Sequence, residues 1–414
     1  MSRQRRSSVK EEFSRSAVLV ALSLPDQDYE PEILLEELSL LLTSLDIPTV
    51  GSAVQKRSAP DPATLIGRGK AEEIREFCRS RNAGFLVFNE PLSPIQKSNL
   101  EKITGVKIWD RPFVIMKIFE KRAHTAEAKL QVELALTRYE IPHLKGLGLQ
   151  MSRTGAGIGT RGPGETEFER HRRKLERKVR EISKKLENVR KQRRLVRDRR
   201  KKMGVSTVSL VGYTNSGKST LLRTLSGDKT ILAENRLFST LDTAVRRIGL
   251  PGGGNALFSD TVGFIRRLPP SLVAAFRATL EEISAAELLL LVLDASASDA
   301  LETYGVITST LMEIDCVDIP RLVVLNKEDL VPVEEAAALS LRLRALGERT
   351  ILLSALRGMG LAELLDAVEE ELSLQNSYQG RGLWARYPLQ QELPASPMDY
   401  LDLEDIYPDG KEKA

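Results

Sequence analysis

The sequence predicts an α/β protein in four parts. These are a small N-terminal parallel α/β domain, a long antiparallel helical hairpin, a phosphate-loop (P-loop) domain on a doubly wound, mostly parallel sheet, and a short irregular C-terminal tail. Three observations predict it. Short apolar runs alternate with helical stripes over residues 17–111 and again over 204–374, the pattern of parallel strands joined by right-handed crossovers. Two long helical patterns over 112–203 flank a glycine-rich stretch at 146–164. Third, the apolar run Val205 to Val211 leads into Gly212-Tyr213-Thr214-Asn215-Ser216-Gly217-Lys218-Ser219, which reads G-x-x-x-x-G-K-S.

Composition narrows the class. The 414 residues are 42% apolar and 29% charged, a soluble composition with ample core. No run of about 18 apolar residues exists, so no membrane span is expected. Residues 1–16 are basic and Ser-rich, but no apolar segment follows, and Glu11 and Glu12 argue against a transit peptide. They read as a disordered tail. Two lone cysteines, Cys78 and Cys316, fit a reducing compartment, the cytoplasm, and no metal site. His124, His143 and His171 have no ligand spacing. The net charge of +4 hides an asymmetry: residues 170–202 carry +14 and the remainder −10. One basic segment in an acidic protein points to a polyanionic partner.

In order, Ala17 to Leu24, Pro48 to Val54, Gly84 to Phe88 and Val106 to Trp109 read as strands. Pro31 to Leu45, a stretch opening at Ile66 and running to about Arg81, and Ser93 to Ile103 read as helices. Gly67-Arg68-Gly69-Lys70 at a helix start could hold a phosphate, but it is half a motif, and a tight turn is the simpler reading. From Pro112 to Leu144, Ile115, Phe119, Ala123, Ala126, Leu130, Leu134 and Ile141 keep helical spacing, with Pro142 and Gly146 expected to end the helix. Gly155 to Glu165 holds five glycines and one arginine, and reads as a flexible tip loop. Phe168 to about Met203 is a second long helix with an apolar seam at Phe168, Leu175, Ile182, Val189 and Val196. Solvated helices mix charge signs; a face of +14 fits nucleic acid, whose counterions it would release. With no base-reading motif, RNA shape and backbone contacts are expected, not DNA readout.

The P-loop domain spells out its ligand. The curled loop Gly212–Ser219 and the helix opening at Thr220 offer N–H groups and a positive dipole end to phosphate oxygens. Lys218 would reach the β- and γ-phosphates and the Ser219 hydroxyl would ligate Mg²⁺. Asp260-Thr261-Val262-Gly263 follows the strand Ala256 to Ser259; Asp260 would hold Mg²⁺ through water, and the Gly263 N–H would feel the γ-phosphate. Asn326-Lys327-Glu328-Asp329 follows the strand Leu322 to Leu325. Asp329 can accept from N1–H and the exocyclic amine of guanine, which adenine cannot supply. Asn326 would steady the loop and meet the base, and the Lys327 stem would cover the ring. Ser354-Ala355-Leu356 follows the strand Thr350 to Leu353, where a backbone N–H, assigned to Ala355, could meet the guanine carbonyl. In Phe238-Ser239-Thr240-Leu241-Asp242-Thr243, Thr240 is preferred over Thr243 as the residue that swings onto Mg²⁺ when the γ-phosphate is present. The catalytic set is therefore Lys218, Thr240 and Gly263, and the metal set Ser219, Thr240 and Asp260. Phe264 stands where related GTPases often place a water-orienting glutamine, which predicts slow intrinsic hydrolysis stimulated by a partner. Leu361 to Leu374 reads as a closing amphipathic helix, and 375–414 as an appendage without visible chemistry.

Over about residues 17–374 the chain resembles the HflX family of ribosome-associated GTPases. The resemblance is carried by Asp110-Arg111, Ile118-Phe119 with Arg122-Ala123 and Thr125, and Lys129 to Ala135. It continues in Gly157-Ile158-Gly159-Thr160-Arg161-Gly162-Pro163-Gly164-Glu165, Phe238 to Asp242 and Asp260 to Ile265. It implies a Mg²⁺-dependent GTPase, slow alone and stimulated by the ribosome. In its GTP state it would bind the large ribosomal subunit and its RNA and split or rescue stalled or idle ribosomes. It implies further that loop 155–164 approaches the peptidyl-transferase region, and that the N-terminal domain binds ATP in some members, with Gly67 to Lys70 the nearby candidate. A monomer is expected. Many members carry a small C-terminal α/β domain, for which 375–414 is too short. Two other classes fit the residues: a GTP-timed RNA-remodelling or ribosome-assembly factor, and a non-hydrolysing nucleotide-gated RNA-binding module.

Overall fold

The computed structural model describes residues 15–25, 30–153, 163–202, 206–228, 238, 244–261, 263–265 and 283–377; within these, side chains are not described at 145–153, 163–168, 190, 192–202 and 375–377. The chain forms two compact units, Met1–Lys121 with Leu130–Lys184, and Arg122–Lys129 with Lys185–Ala414. Among the described residues no helix is long and apolar enough to cross a membrane.

The first unit is built on four parallel strands, β1 (Ala17–Ser23), β2 (Thr49–Lys56), β3 (Phe85–Phe88) and β4 (Lys107–Asp110), in the order β2-β1-β3-β4. Apolar β1 lies between two neighbours and is buried along nearly its whole length, as an inner parallel strand requires. Helices α1 (Pro31–Thr43), α2 (Arg68–Ser80) and α3 (Pro94–Thr104) connect the strands. Val18, Val20, Ile66, Ile74, Leu86, Phe88, Leu100 and Ile108 belong to one hydrophobic core cluster. The α3 start is set by a capping box: Gln96 N donates to Ser93 Oγ (3.2 Å) and Ser93 N to Gln96 Oε1 (2.9 Å). Gly67 to Lys70 opens α2, where Lys70 pairs with Glu73 (2.7 Å) and Arg68 with Glu72 (3.3 Å).

The helical region differs from its expectation in three places. The single pattern from Pro112 to Leu144 is two helices, α4 (Arg111–Arg122) and α5 (Ala126–Arg153). Thr125 starts the second by accepting from Ala128 N on its Oγ1 (3.1 Å), an N-cap that a continuous apolar stripe disguises. Neither Pro142 nor Gly146 ends α5, because one missing N–H removes one hydrogen bond from a helix of 28 residues. Helix α6 runs Pro163–Lys202, so the expected loop 146–164 is helical at both of its ends, and its middle lies outside the described residues. On α6, Leu175, Ile182 and Leu186 are buried while Arg173, Arg177, Arg180, Lys184 and Lys185 are exposed, and Lys178 pairs with Glu133 of α5 (2.7 Å).

The second unit carries β5 (Ser206–Gly212), α7 (Lys218–Ser226), β6 (Ala244–Gly249), β7 (Asn255–Asp260), β8 (Leu288–Asp294), α8 (Ala300–Glu313), β9 (Arg321–Asn326), α9 (Val333–Ala345), β10 (Thr350–Leu352) and α10 (Leu361–Ser377). The sheet order is β10-β9-β8-β5-β7-β6, with only β6 antiparallel. Two cores cover its faces. One joins Val208, Leu210, Phe258, Leu290 and Val324 to α7 and α10. The other joins Val211, Leu289, Leu291, Val323 and Leu325 to α8 and α9. The C-terminal ends of β5, β7, β8 and β9 therefore converge where an open parallel sheet binds ligands.

Candidate functional site

The phosphate loop links β5 to α7. Gly217 has φ +96°, and a Cβ there would lie 2.1 Å from Asn326 Nδ2, so the position requires glycine on both conformational and steric grounds. The main chain of Phe264 brackets the loop: Phe264 N donates to Gly212 O (3.0 Å) and Thr214 N to Phe264 O (2.8 Å). Two hydroxyls of the loop, Thr214 Oγ1 and Ser216 Oγ, are buried without a hydrogen-bond partner among the described residues. Buried donors are seldom left so, and these suit an anionic oxygen.

Lys218 is 6% exposed and folds back on the loop, donating to Gly212 O (3.1 Å) and Tyr213 O (2.8 Å). Burial pushes its pKa down to about 8, against the opposing pull of the Asp260 charge. Gly263 closes over it: a Cβ at 263 would fall 2.8 Å from Thr214 Cγ2 and 3.1 Å from Lys218 Nζ. Ser219 Oγ donates to the fully buried Asp260 carboxylate at 2.6 Å. This pair of hard oxygens fits Mg²⁺, which takes one or two protein oxygens beside phosphate and water. The Thr261 hydroxyl is engaged within the sheet, its Oγ1 donating to Leu210 O at 2.7 Å. Helix α7 opens at Lys218, not at Thr220, which is half-buried in its first turn with its carbonyl accepting from Thr224 Oγ1 (3.0 Å).

Asn326 ties three segments together. Its Nδ2 donates to Ser216 O (2.8 Å), and its Oδ1 accepts from Ala355 N (2.9 Å). The Ala355 N–H, assigned from sequence to the base, thus serves Asn326; among the described residues the N–H of Leu356 is the one in Ser354-Ala355-Leu356 left without a partner. Lys327 has φ +65° and donates to Asp294 Oδ2 (2.5 Å). The Asp329 side chain is 14% exposed, with Oδ2 3.7 Å from Arg357 Nε. Asp294 was not singled out from sequence; the signal was an acid closing the otherwise apolar strand Leu288–Asp294.

Phe264 is 3% exposed and packs with Val211, Leu289 and Leu325. Its ring belongs to the core, and its main chain serves the loop. Phe238 is likewise buried, with φ +57°. Asn215 also has a positive φ (+66°) at the loop's turn, and Tyr213 bridges to Phe264. Ser239, Thr240, Thr243 and Val262 lie outside the described residues, as do the glycine tip at 154–162 and the tail from 378.

Three family models match in chain order: a GTP-binding GTPase N-terminal region over 32–120, a GTP-binding GTPase middle region over 122–200, and a 50S ribosome-binding GTPase over 207–327. A GTPase HflX of Caldanaerobacter subterraneus subsp. tengcongensis is 42% identical over 365 residues, covering 87% of this chain and 82% of that protein. GTPase HflX of Escherichia coli is 41% identical over 358 residues, covering 86% and 83%. A crystal structure of a GTP-binding protein from Sulfolobus solfataricus with GDP is 24% identical, covers 87% of this chain and 99% of that one, and has a TM-score of 0.46. Relatives this similar over most of both chains establish that the chain belongs to the HflX family of GTPases and that its activity is the hydrolysis of GTP.

Proposed function

We propose that this protein is a Mg²⁺-dependent GTPase whose GTP state binds the large ribosomal subunit and splits or rescues stalled or idle ribosomes. The observation that carries the reading is α6. This helix of 40 residues presents exposed cations from Arg173 to Lys185 and ends at Lys202, and β5, the strand that delivers the phosphate loop, begins at Ser206. A polyanion held on such a helix is one short link in sequence from the phosphate-binding strand. The description of the family matched at 207–327, a 50S ribosome-binding GTPase, supports a ribosomal polyanion.

The phosphate site works by exchanging partners. Thr214, Ser216 and the loop amides receive the phosphates. Lys218 gives up the carbonyls of Gly212 and Tyr213 for phosphate oxygens. Ser219 and Asp260 would hold Mg²⁺, whose chemistry is neutralisation of charge on the β- and γ-phosphates. Gly263 leaves space above Lys218 for the γ-phosphate, and Thr240 would help Ser219 and Asp260 hold Mg²⁺. Asp329 reads the guanine edge, Leu356 offers an N–H to its carbonyl, and Asn326 keeps base loop and phosphate loop in step. The ring of Phe264 cannot hold a water, so turnover is slow until a bound partner orders the switch segments.

Sucrose-gradient sedimentation of intact ribosomes tests this. Conversion to free subunits with GTP or a non-hydrolysable analogue, and not with GDP, is the expected result. Ribosomes left intact at saturating protein would overturn the splitting role.

A further inference from the structure

We propose that Asp294, which lies outside the motifs that read the nucleotide, is a positioning residue for the base. It anchors the Lys327 ammonium so that the lysine's methylene stem stands as a preformed wall of the guanine pocket. The proposal rests on the assignment of Asn326, Lys327 and Asp329 to the base.

Asp294 is the last residue of β8 and pairs in register with Asn326 on β9. Its two carboxylate oxygens have separate tasks. Oδ1 accepts from Ser296 N (3.0 Å) and Ser296 Oγ (2.6 Å), which fixes the carboxylate plane within its own loop. Oδ2 is thereby aimed at Lys327 Nζ, 2.5 Å away. Ala295 N also donates to Asn326 O (2.8 Å), so the loop carrying the carboxylate is tied to the lysine's own segment.

The other end of Lys327 is fixed as well. Its φ of +65° lies in the left-handed region, uncommon for a residue with a Cβ. Its carbonyl accepts from Leu330 N (3.0 Å), and Glu328 N donates to Leu353 O (3.2 Å). The four-carbon stem therefore spans two anchored points. A lysine with a free head would have to surrender its rotamer freedom each time a ring docked; one already anchored does not. The pair is 24% and 23% exposed, so solvent screening weakens it without removing it.

Asp329 and Lys327 read different parts of the base. Asp329 addresses the edge, which distinguishes guanine from other purines. The Lys327 stem addresses the face, which purines share. Loss of the Asp294 anchor should shorten nucleotide residence by the same factor for guanine and hypoxanthine nucleotides and leave their ratio alone.

The test is stopped-flow release of fluorescent GDP and IDP from the full chain carrying Asp294→Asn, Asp294→Glu or Lys327→Ala, with the melting midpoint of each nucleotide-free protein. Asparagine keeps an acceptor for Ser296 and drops the charge facing Lys327. For Asp294→Asn the expectation is release faster by about three- to tenfold for both nucleotides, an unchanged midpoint, and recovery of most of the loss in Asp294→Glu. Unchanged release in Asp294→Asn beside fast release in Lys327→Ala would overturn the role of Asp294 alone. A lowered midpoint in step with faster release, not restored by glutamate, would overturn it in favour of a structural carboxylate. Unchanged release in both Asp294→Asn and Lys327→Ala would overturn the base assignment and this proposal with it.

Discussion

Asn326 and Ser216 are 110 positions apart in sequence, yet Asn326 Nδ2 donates to the Ser216 carbonyl at 2.8 Å. The same side chain accepts from Ala355 N. One buried amide thus couples the loop between β5 and α7 to the segments that follow β9 and β10. Replacing it with alanine leaves two buried backbone groups unmatched, which costs roughly 1–3 kcal/mol for each unsatisfied group. Asn326→Ala is expected to lower the urea midpoint and to speed GDP release together. A variant that releases GDP at the parental rate would show that the link is only structural.

Lys218 is expected to make nucleotide binding depend on pH. Burial lowers its pKa to about 8, and surrounding phosphates are expected to raise it again. Affinity for GDP is therefore expected to be highest below pH 8 and to fall by up to about tenfold per unit above it. Binding at pH 8 should take up about half a proton, measured by calorimetry in buffers of different ionisation enthalpy. For folding the sign is the reverse. The unfolded lysine holds its proton to higher pH than the folded one, so nucleotide-free stability from this group rises from about pH 8 toward the ordinary lysine range. Binding without proton uptake at pH 8 would contradict this account of Lys218.

Asp329 is the residue proposed to select guanine. Asp329→Asn is expected to lower GTP affinity by about 10²-fold or more and to favour XTP, whose carbonyl replaces the exocyclic amine. Competition binding with GTP, XTP and ITP measures it. Unaltered preference for GTP would remove Asp329 from the base site.

Much of this site was legible because its chemistry dictates residue type at short spacing. The G-x-x-x-x-G-K-S run, Asp260 after a buried strand and the Asn326 to Asp329 run each carry their own context. Long-range geometry was not legible. No local pattern shows Asn326 reaching Ser216, or its Oδ1 claiming the Ala355 N–H. The fold followed the same division. Apolar runs such as Leu288–Asp294 mark buried parallel strands. The break between α4 and α5 was hidden because the apolar stripe continues across it, and only the Thr125 cap betrays it. Pro142 misled in the other direction, since a long helix absorbs one missing hydrogen bond.

The exposed cations of α6 offer a graded test. Changing Arg177, Arg180, Lys184 and Lys185 to alanine is expected to weaken binding to ribosomal RNA and to reduce the salt slope by about one for each phosphate no longer neutralised. Slopes come from binding isotherms at several salt concentrations. An unchanged slope would mean that this face meets only solvent.

The most direct measurement is the affinity of the full chain for isolated large ribosomal subunits, taken with a non-hydrolysable GTP analogue, with GDP and with no nucleotide. Binding at least about tenfold tighter with the analogue than with GDP, a coupling of about 1.4 kcal/mol, is the result expected. Equal affinity in all three states would contradict the claim that the γ-phosphate prepares the protein for the ribosome.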